Sequence, residues 1–209
     1  MSEVSGDLKE MYAGYYQDDD RLLKKRKFNA ETSIQRMQEL LGPKLGSVLD
    51  VGAGNGNVIA AMEAKSMAAE ITALEISSSG IQAITDSKFP SLKEVKSFDG
   101  YSIPYPDDHF DLALASHVVE HVEHERSFLR ELSRVAKKIY VEVPLEGGMR
   151  CKSNRTFGHI NFYTAPNFIN LTETSGLEII SSKVFAPSED VEKLLYGQLK
   201  GTVKYNLRR

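Results

Sequence analysis

The sequence predicts an α/β fold, in which a doubly wound, mostly parallel sheet of about seven strands carries helices on both faces. Two observations predict it. Short apolar segments alternate with segments of helical periodicity along the chain, and a glycine-rich turn joins the first strand to the helix after it. Parallel strands need crossover connections, and helical crossovers cover both faces of the sheet.

The predicted elements follow one another in a regular order. Each predicted strand is short and apolar, and each predicted helix places its apolar residues on one face. Strands are predicted over residues 47–51, 71–76, 94–98, 110–115, 138–143 and 177–185. Helices are predicted over residues 32–41, around 58–62, and over 77–84, 128–135 and 165–175.

The composition predicts a single globular domain over residues 1–209. Hydrophobic residues make up 41% of the chain and charged residues 26%, close to the averages for folded domains. The formal net charge of -3 provides no broad attraction to phosphate backbones, so we expect no nucleic-acid partner. Cys151 is the only cysteine, and neither a signal peptide nor a membrane span is predicted. We therefore expect a cytoplasmic protein, whose oligomeric state stays open.

A glycine-rich turn follows the first predicted strand. Gly52, Gly54 and Gly56 alternate with other residues there, so the backbone can turn tightly and approach a ligand without obstruction by a Cβ atom. Glu75 lies 23 positions after Gly52, at the end of the second predicted strand. A carboxylate at that position can accept hydrogen bonds from both ribose hydroxyls of an adenosine. Turn and acid together predict a nucleoside-binding site.

The residues around the turn indicate which nucleoside binds. The dinucleotide fingerprint has a glycine at its sixth position, where this chain has Asn57. A pyrophosphate needs a close approach to a helix N-terminus, whereas a methionine tail carries an ammonium group that benefits from a nearby acid such as Asp50. The turn therefore favours a zwitterionic tail over a dinucleotide, and NAD is the second choice.

Residues 48–57 resemble the first motif of class I S-adenosylmethionine-dependent methyltransferases, particularly the methyltransferase type 11 family, whose fold is Rossmann-like. Residues 98–100, 105–111 and 116–122 resemble later motifs of that family, in the correct order. The resemblance covers residues 45–145 and implies S-adenosyl-L-methionine as cofactor, with S-adenosyl-L-homocysteine as product. The cofactor-binding residues that it and the turn predict are Asp50, Gly52, Gly54, Asn55, Gly56, Glu75, Ile76, Asp99, Gly100, Ser116, His117 and Tyr16.

Three side chains are candidates for the chemistry. Methyl transfer from a sulfonium depends largely on positioning, and a general base helps when the acceptor is a hydroxyl or a protonated amine. His159 is the first candidate base, because residues 158–164 resemble a stretch that relatives place over the active site. Tyr163 belongs to the same stretch, and His117 is expected to line the cofactor pocket. The alternative for His159 is a histidine hydrogen-bonded within an ordered loop.

A metal site is the less favoured interpretation of a histidine pattern. His117, His121 and His124 have the spacing i, i+4 and i+7, which would place them on one helical face. The family carries histidine-rich versions of this segment without a required metal. We therefore predict no metal ligands.

Two segments are expected to cover the site. Residues 1–30 are predicted to form an N-terminal lid, in which Tyr16 would screen the sulfonium from water because aromatic faces attract cations. Core packing of that aromatic group is the alternative. Residues 146–164 are predicted to form a substrate loop. Glu142, at the end of the fifth strand, needs a partner if it is buried, and its role stays unassigned.

The function predicted from these features is methyl transfer to an oxygen or nitrogen of a small-molecule acceptor. A sugar, a quinone-like ring or a natural-product precursor would suit. Two other classes stay open. One is an NAD-dependent oxidoreductase, and the other is a non-catalytic module that keeps S-adenosylmethionine binding.

Overall fold

The computed structural model describes residues 20–146 and 158–185 of the chain. The predicted lid therefore lies partly outside it, including Tyr16. Residues 20–30 are described and belong to a long helix, α1 (Asp20–Leu41), in which Ala30 is buried. Within the described ranges no helix combines the length and apolar character that crossing a membrane requires.

The described sheet has five strands, all parallel. Their bounds are β1 Leu45–Val51, β2 Ala68–Glu75, β3 Leu92–Ser97, β4 Leu112–Ser116 and β5 Ile139–Glu142. The spatial order is β3-β2-β1-β4-β5, with parallel register at every pairing. The strand order reverses between β1 and β4. In open α/β sheets, ligands bind at such a reversal, outside the carboxyl ends of the strands.

Helices cover both faces of this sheet, as predicted. The helices α1, α2 (Asn57–Ala64) and α3 (Ser78–Ser87) lie on one face of the sheet. Their buried residues pack with Leu112 and Leu114 of β4. The helices α4 (Glu125–Val135) and α5 (Ala165–Thr174) lie on the other face and pack with Ala113 and Ala115 of β4. The alternation of side chains along a strand separates the two halves of the core.

Local sequence signals set the ends of these helices. The Ser77 hydroxyl accepts a hydrogen bond from the Gly80 N–H at 3.1 Å and so caps α3. Thr164 and Asn167 form a capping box at the start of α5. In α4 the residues three and four positions apart are buried: Phe128, Leu129, Leu132 and Val135.

Two predictions of extent need correction. The helix predicted over 32–41 begins earlier, at Asp20. The sequence did not indicate its first turns, because they are charged and carry little apolar periodicity. The strand predicted over 177–185 is not a strand, and Ile180 is 80% exposed there. Its apolar alternation has no neighbouring strand to pair with among residues 20–146 and 158–185, and a strand needs such a ladder. The described sheet therefore has five strands instead of about seven.

Candidate functional site

The turn after β1, residues 52–56, bends the chain sharply and is called the glycine turn below. Gly52, Gly54 and Gly56 all have positive φ, at 75°, 60° and 83°, a region that residues with a Cβ rarely adopt. The N–H groups of Gly52 and Ala53 both donate to the Leu74 carbonyl, at 2.8 and 3.1 Å. These bonds tie the glycine turn to the end of β2.

The glycine turn also lies against the segment after β4. A Cβ atom on Gly52 would stand 2.6 Å from Cγ2 of Val118, closer than real contacts allow. The turn after β1 and the turn after β4 therefore pack against each other at the reversal of strand order.

Glu75, the last residue of β2, connects the glycine turn to α3. Its Oε2 accepts a hydrogen bond from the Gly54 N–H at 2.8 Å, and its Oε1 accepts one from the Ser77 N–H at 2.9 Å. Burial raises the pKa of Glu75 above its usual value, against the opposing effect of these N–H donors. Each carboxylate oxygen has a second lone pair, so two acceptor positions remain beyond the two backbone bonds.

Asp50 is a second buried acid beside Glu75. It pairs in register with Ala73, two residues before Glu75, so both acids point to the same face of the sheet. Asp50 is 2% exposed, and its Oδ2 has no hydrogen-bond partner among the described residues. Burial, followed by the charge of Glu75, raises the pKa of Asp50 to about 7. Among residues 20–146 and 158–185, therefore, no donor group stabilises a charge on Oδ2 of Asp50.

The first turn of α3 packs closely against the glycine turn and Glu75. A Cβ atom on Gly80 would lie 2.5 Å from the Gly54 carbonyl oxygen and 2.9 Å from Cγ of Glu75. Sequence reasoning did not single out Gly80, because a glycine in the first turn of a helix is not by itself a binding signal. The structure shows that its missing side chain lets α3 approach the acid and the turn.

The remaining predicted cofactor residues lie at the same edge, because each follows the carboxyl end of a parallel strand. Ile76 follows β2 and is half-buried. Asp99 follows β3, and its Oδ1 accepts from the N–H groups of Tyr101 and Ser102 at 2.8 and 2.6 Å. Gly100 beside it has a φ of 94°. Asn55 lies in the glycine turn and Ser116 ends β4, so the structure brings all the described members of the predicted set to one edge.

Residues 117–122 form the segment that we call the β4 turn. His117 opens it with a φ of 58°, unusual for a residue with a Cβ, and its N–H donates to the Glu142 carbonyl at 2.9 Å. Such backbone strain is concentrated at functional sites. The side chain of His117 is 41% exposed, and its Nδ1 lies 3.3 Å from Oε1 of Glu120. Partial desolvation opposes a charge on His117, but the adjacent Glu120 carboxylate outweighs that effect and raises the pKa of His117.

Glu120 lies within the β4 turn, in a short 3-10 helix (Val119–His121). It is fully buried, and neither carboxylate oxygen has a hydrogen-bond partner among the described residues. Burial opposes its ionisation, yet His117 and then His121 outweigh burial and lower the pKa of Glu120. Sequence reasoning passed over this acid, because nothing in its spacing marks it as buried.

The segment after residue 157 packs directly on the β4 turn. The N–H groups of Ile160 and Asn161 both donate to the Glu120 carbonyl, at 2.9 and 3.0 Å. The Tyr163 hydroxyl donates to the Val119 carbonyl at 3.3 Å, and Tyr163 is 3% exposed. Tyr163 thus helps to hold the segment on the β4 turn, and its part in catalysis stays a prediction. Of the predicted substrate loop, residues 147–157 lie outside the described ranges.

Two imidazoles meet at this contact. Nδ1 of His159 lies 2.8 Å from Oε2 of Glu146, and both side chains are largely buried. Nδ1 of His121 lies 2.9 Å from the Gly158 carbonyl oxygen. The two rings stand edge to face with centroids 4.9 Å apart. The structure therefore places the predicted base beside a second histidine, with an acid fixing its orientation.

The helical face that the spacing of His117, His121 and His124 would give, which the sequence analysis did not favour, is not formed in the structure. That spacing needs a continuous α-helix, but the 3-10 helix ends at His121 and α4 begins at Glu125. His124 instead lies with its ring 5.6 Å from that of Tyr101. His124 is therefore separated from the other two histidines.

Glu142 has the partner that its burial requires. Arg36 of α1 forms an ion pair with Oε1 of Glu142, and the Tyr140 hydroxyl lies 3.3 Å from Oε2. The Arg36 guanidinium also stacks on the Phe185 ring, 4.5 Å from its centroid. The ion pair with Arg36 therefore links the end of β5 to α1, and Glu142 has a structural role.

Comparison with protein families identifies one matching model. A family described as "Methyltransferase domain" matches residues 21–182, which is more than half of the chain. The match includes the glycine turn, the β4 turn and α5.

Similar proteins agree with this match. Norajmaline N-methyltransferase of Rauvolfia serpentina is 32% identical over 94 residues, covering 43% of this chain and 32% of that protein. The chain spans about a third or less of the curated relatives it matches. A structure of the Haloferax volcanii Trm112 methyltransferase activator in complex with a methyltransferase aligns with a TM-score of 0.67 and 15% identity, over 88% of this chain and 83% of that one.

One more structure extends the comparison. A SAM-dependent methyltransferase of Thermotoga maritima, described as a possible histamine N-methyltransferase, aligns with a TM-score of 0.62 and 17% identity, over 81% of each chain. At these identities the structures show a shared fold. The predicted Rossmann-like, class I methyltransferase fold is confirmed.

The ionisation of Asp50 should be visible in stability. Its pKa of about 7 in the folded state lies above the ordinary 3.8, so the unfolded chain loses the proton first and stability falls as pH rises between these values. Asp50→Asn removes this loss. The unfolding free energy of Asp50→Asn minus that of the unmodified chain should therefore increase by about 3 kcal/mol between pH 5 and pH 8, as measured by urea denaturation. A difference that does not change with pH would contradict the assignment.

The close approach of α3 should make Gly80→Ala destabilising. At an exposed position inside a helix, replacing glycine with alanine adds about 1 kcal/mol to the free energy of unfolding. Here the new methyl group meets the Gly54 carbonyl and Glu75, so we expect a loss of about 1 to 3 kcal/mol from overpacking. Ser79→Ala in the same turn is the matched control, since it removes a buried hydroxyl without a partner among the described residues and should cost nothing. Equal stability of the two variants would refute the close packing.

Proposed function

The chain belongs to the methyltransferase domain family, and from this premise we propose that it transfers a methyl group from S-adenosylmethionine to an oxygen or nitrogen of a small-molecule acceptor. The observation that carries the proposal is the pair of buried acids at the glycine turn. Asp50 lacks a cationic partner among the described residues, and Glu75 keeps acceptor positions beside the turn.

The chemistry of these residues fits the cofactor. The buried oxygen of Asp50 without a partner among the residues described matches the ammonium group of the methionine tail, and the remaining lone pairs of Glu75 match the ribose hydroxyls. When bound, the cofactor supplies an electrophilic methyl group on a sulfonium. The residues that we propose to hold it are Asp50, Gly52, Gly54, Asn55, Gly56, Glu75, Ile76, Asp99, Gly100, Ser116 and His117.

Each group on this chain has a distinct task in that proposal. The glycine turn brings its backbone close to the tail, because no Cβ stands in the way. Glu75 is already fixed by Gly54 and Ser77, so it orients the ribose with little loss of side-chain entropy. Asp99 lies at the next strand end, where the adenine amino group is expected. Tyr16, outside the described residues, stays a predicted lid.

The acceptor is expected between the β4 turn and the segment after residue 157. His159 is the side chain proposed to act on it. Since Glu146 accepts a hydrogen bond from Nδ1, a neutral His159 carries its lone pair on Nε2. The curated relatives are named for N-methylation of ajmaline and norajmaline, which supports a nitrogen acceptor of small-molecule type. An oxygen acceptor is equally compatible with a lone pair at His159.

The cofactor assignment is tested by calorimetric titration with S-adenosylhomocysteine, with NAD as the negative control. Micromolar binding of the first ligand corresponds to about 8 kcal/mol. Glu75→Ala should weaken it by about 1 to 3 kcal/mol, because hydrogen bonds to a charged acceptor are lost. Glu70→Ala is the matched control, since Glu70 lies on the same strand but is exposed and pairs with Lys93. Binding of NAD alone, or equal affinities of the two variants, would overturn the assignment.

His159→Gln should separate turnover from cofactor binding. We expect turnover to fall by about 100-fold or more, the scale of a lost catalytic group, with unchanged affinity for S-adenosylhomocysteine. The acceptor is first found by screening small amines, phenols and sugars for formation of S-adenosylhomocysteine. His109→Gln is the control, because His109 is exposed and stacks on Tyr105 away from the site. Unchanged turnover in His159→Gln would remove this residue from the mechanism.

A further inference from the structure

We propose that Glu120, His121 and His159 bind one divalent transition-metal ion between the β4 turn and the segment after residue 157. One carboxylate oxygen and one ring nitrogen from each histidine all lie within 4.8 Å of one another. Ligands of a bound ion stand about 3.3 Å apart, so small side-chain rotations complete the site. No predicted cofactor-binding residue belongs to this trio.

The orientation of both imidazoles supports a metal site. A carbonyl oxygen can only accept a hydrogen bond, so Nδ1 of His121 carries the hydrogen that it donates to Gly158. Glu146 has the same effect on Nδ1 of His159. In a neutral ring the lone pair then belongs to Nε2, the atom that would bind the ion. Histidine ligands in metalloproteins are held in this way, by a carboxylate or a backbone carbonyl on the opposite nitrogen.

The carboxylate of Glu120 supplies the independent observation. It is fully buried, and both oxygens lack a hydrogen-bond partner within the described part of the chain. His117 approaches one oxygen only to 3.3 Å. The carboxylate is therefore compensated by neighbouring imidazoles and not by well-formed hydrogen bonds, and a coordinated cation would add a direct bond to one of its oxygens.

The backbone holds the trio together across a separation of 39 residues, from Glu120 to His159. The carbonyl of Glu120 accepts the N–H groups of both Ile160 and Asn161, which follow His159 directly. The side-chain amide of Asn161 donates to the Val122 carbonyl at 2.6 Å. The ligands are therefore positioned by hydrogen bonds that do not involve the ligand atoms themselves.

The donor set selects the kind of ion. Two imidazoles and one carboxylate favour Zn²⁺ or another first-row transition metal over Mg²⁺ and Ca²⁺, which prefer oxygen ligands. Three protein ligands leave coordination positions open. If the proposed function holds, an oxygen of the acceptor takes an open position, which would lower the pKa of a hydroxyl acceptor. In this proposal His159 is a metal ligand and not the general base proposed above, and the proposal differs from the sequence prediction of no metal ligands.

The test is Zn²⁺ binding to the EDTA-treated full chain, measured by competition with a chromogenic chelator. The unmodified protein should bind one ion. Glu120→Gln and His159→Gln should each weaken binding by more than about 100-fold, whereas Glu146→Ala, which only loses the orienting group, should weaken it by about 10- to 100-fold. His124→Gln is the matched control, since it is an exposed neighbouring histidine outside the trio, and it should bind like the unmodified protein.

Titration of every variant with S-adenosylhomocysteine accompanies the metal measurement. Unchanged cofactor affinity shows that a variant is folded, so a loss of Zn²⁺ binding then belongs to the ligand that was removed. No one-to-one binding by the unmodified protein, or full retention in both Glu120→Gln and His159→Gln, would overturn the metal site. Failure to bind S-adenosylhomocysteine with intact Zn²⁺ binding would instead overturn the proposed function and leave the metal site standing.

Discussion

The carboxylate of Glu75 is the group on which the arrangement of the glycine turn depends. It ends β2, accepts the N–H of Gly54 in the turn and accepts the N–H of Ser77 at the start of α3. One side chain thus fixes a strand end, a turn and a helix start relative to one another. Gly80 makes this possible, because any larger residue would push α3 away from the acid. The glycine turn and the first turn of α3 are therefore positioned by that one carboxylate.

Two acids buried on one face of the sheet make the free protein less stable than its core would allow. Asp50 is not compensated by hydrogen bonds at Oδ2 among the described residues, and the charge of Glu75 adds to its desolvation. A purely structural role would favour replacing Asp50 with an apolar or amide side chain. A bound cationic ligand would offset the charge of Asp50, so the stability lost by burying this acid would be recovered only in the complex.

The sequence predicted the sheet edge well because its signals are local. The glycine turn, the acid at the end of β2 and the strand periodicities each lie within a few residues, and parallel strands bring their carboxyl ends together automatically. The histidine spacing shows the limit of such local signals. It would give one helical face only if a continuous helix ran through His117, His121 and His124, whereas the positive φ of His117 and a single 3-10 turn redirect the chain. The isolated segment 177–185 shows apolar alternation without a strand to pair with in the described part of the chain.

The contact between the β4 turn and the segment after residue 157 could not be predicted from the sequence, because it joins residues that are far apart along the chain. Glu120 and His159 lie close together because the N–H groups of Ile160 and Asn161 donate hydrogen bonds to the β4 turn, and no local sequence pattern indicates that pairing. This division has a functional logic. The edge built from local motifs suits a ligand common to the whole family, whereas the contact between distant segments can change without disturbing the glycine turn. Substrate specificity in this chain should therefore be encoded where the β4 turn meets residues 158–163, and a metal ion there would bias the acceptor towards a coordinating oxygen.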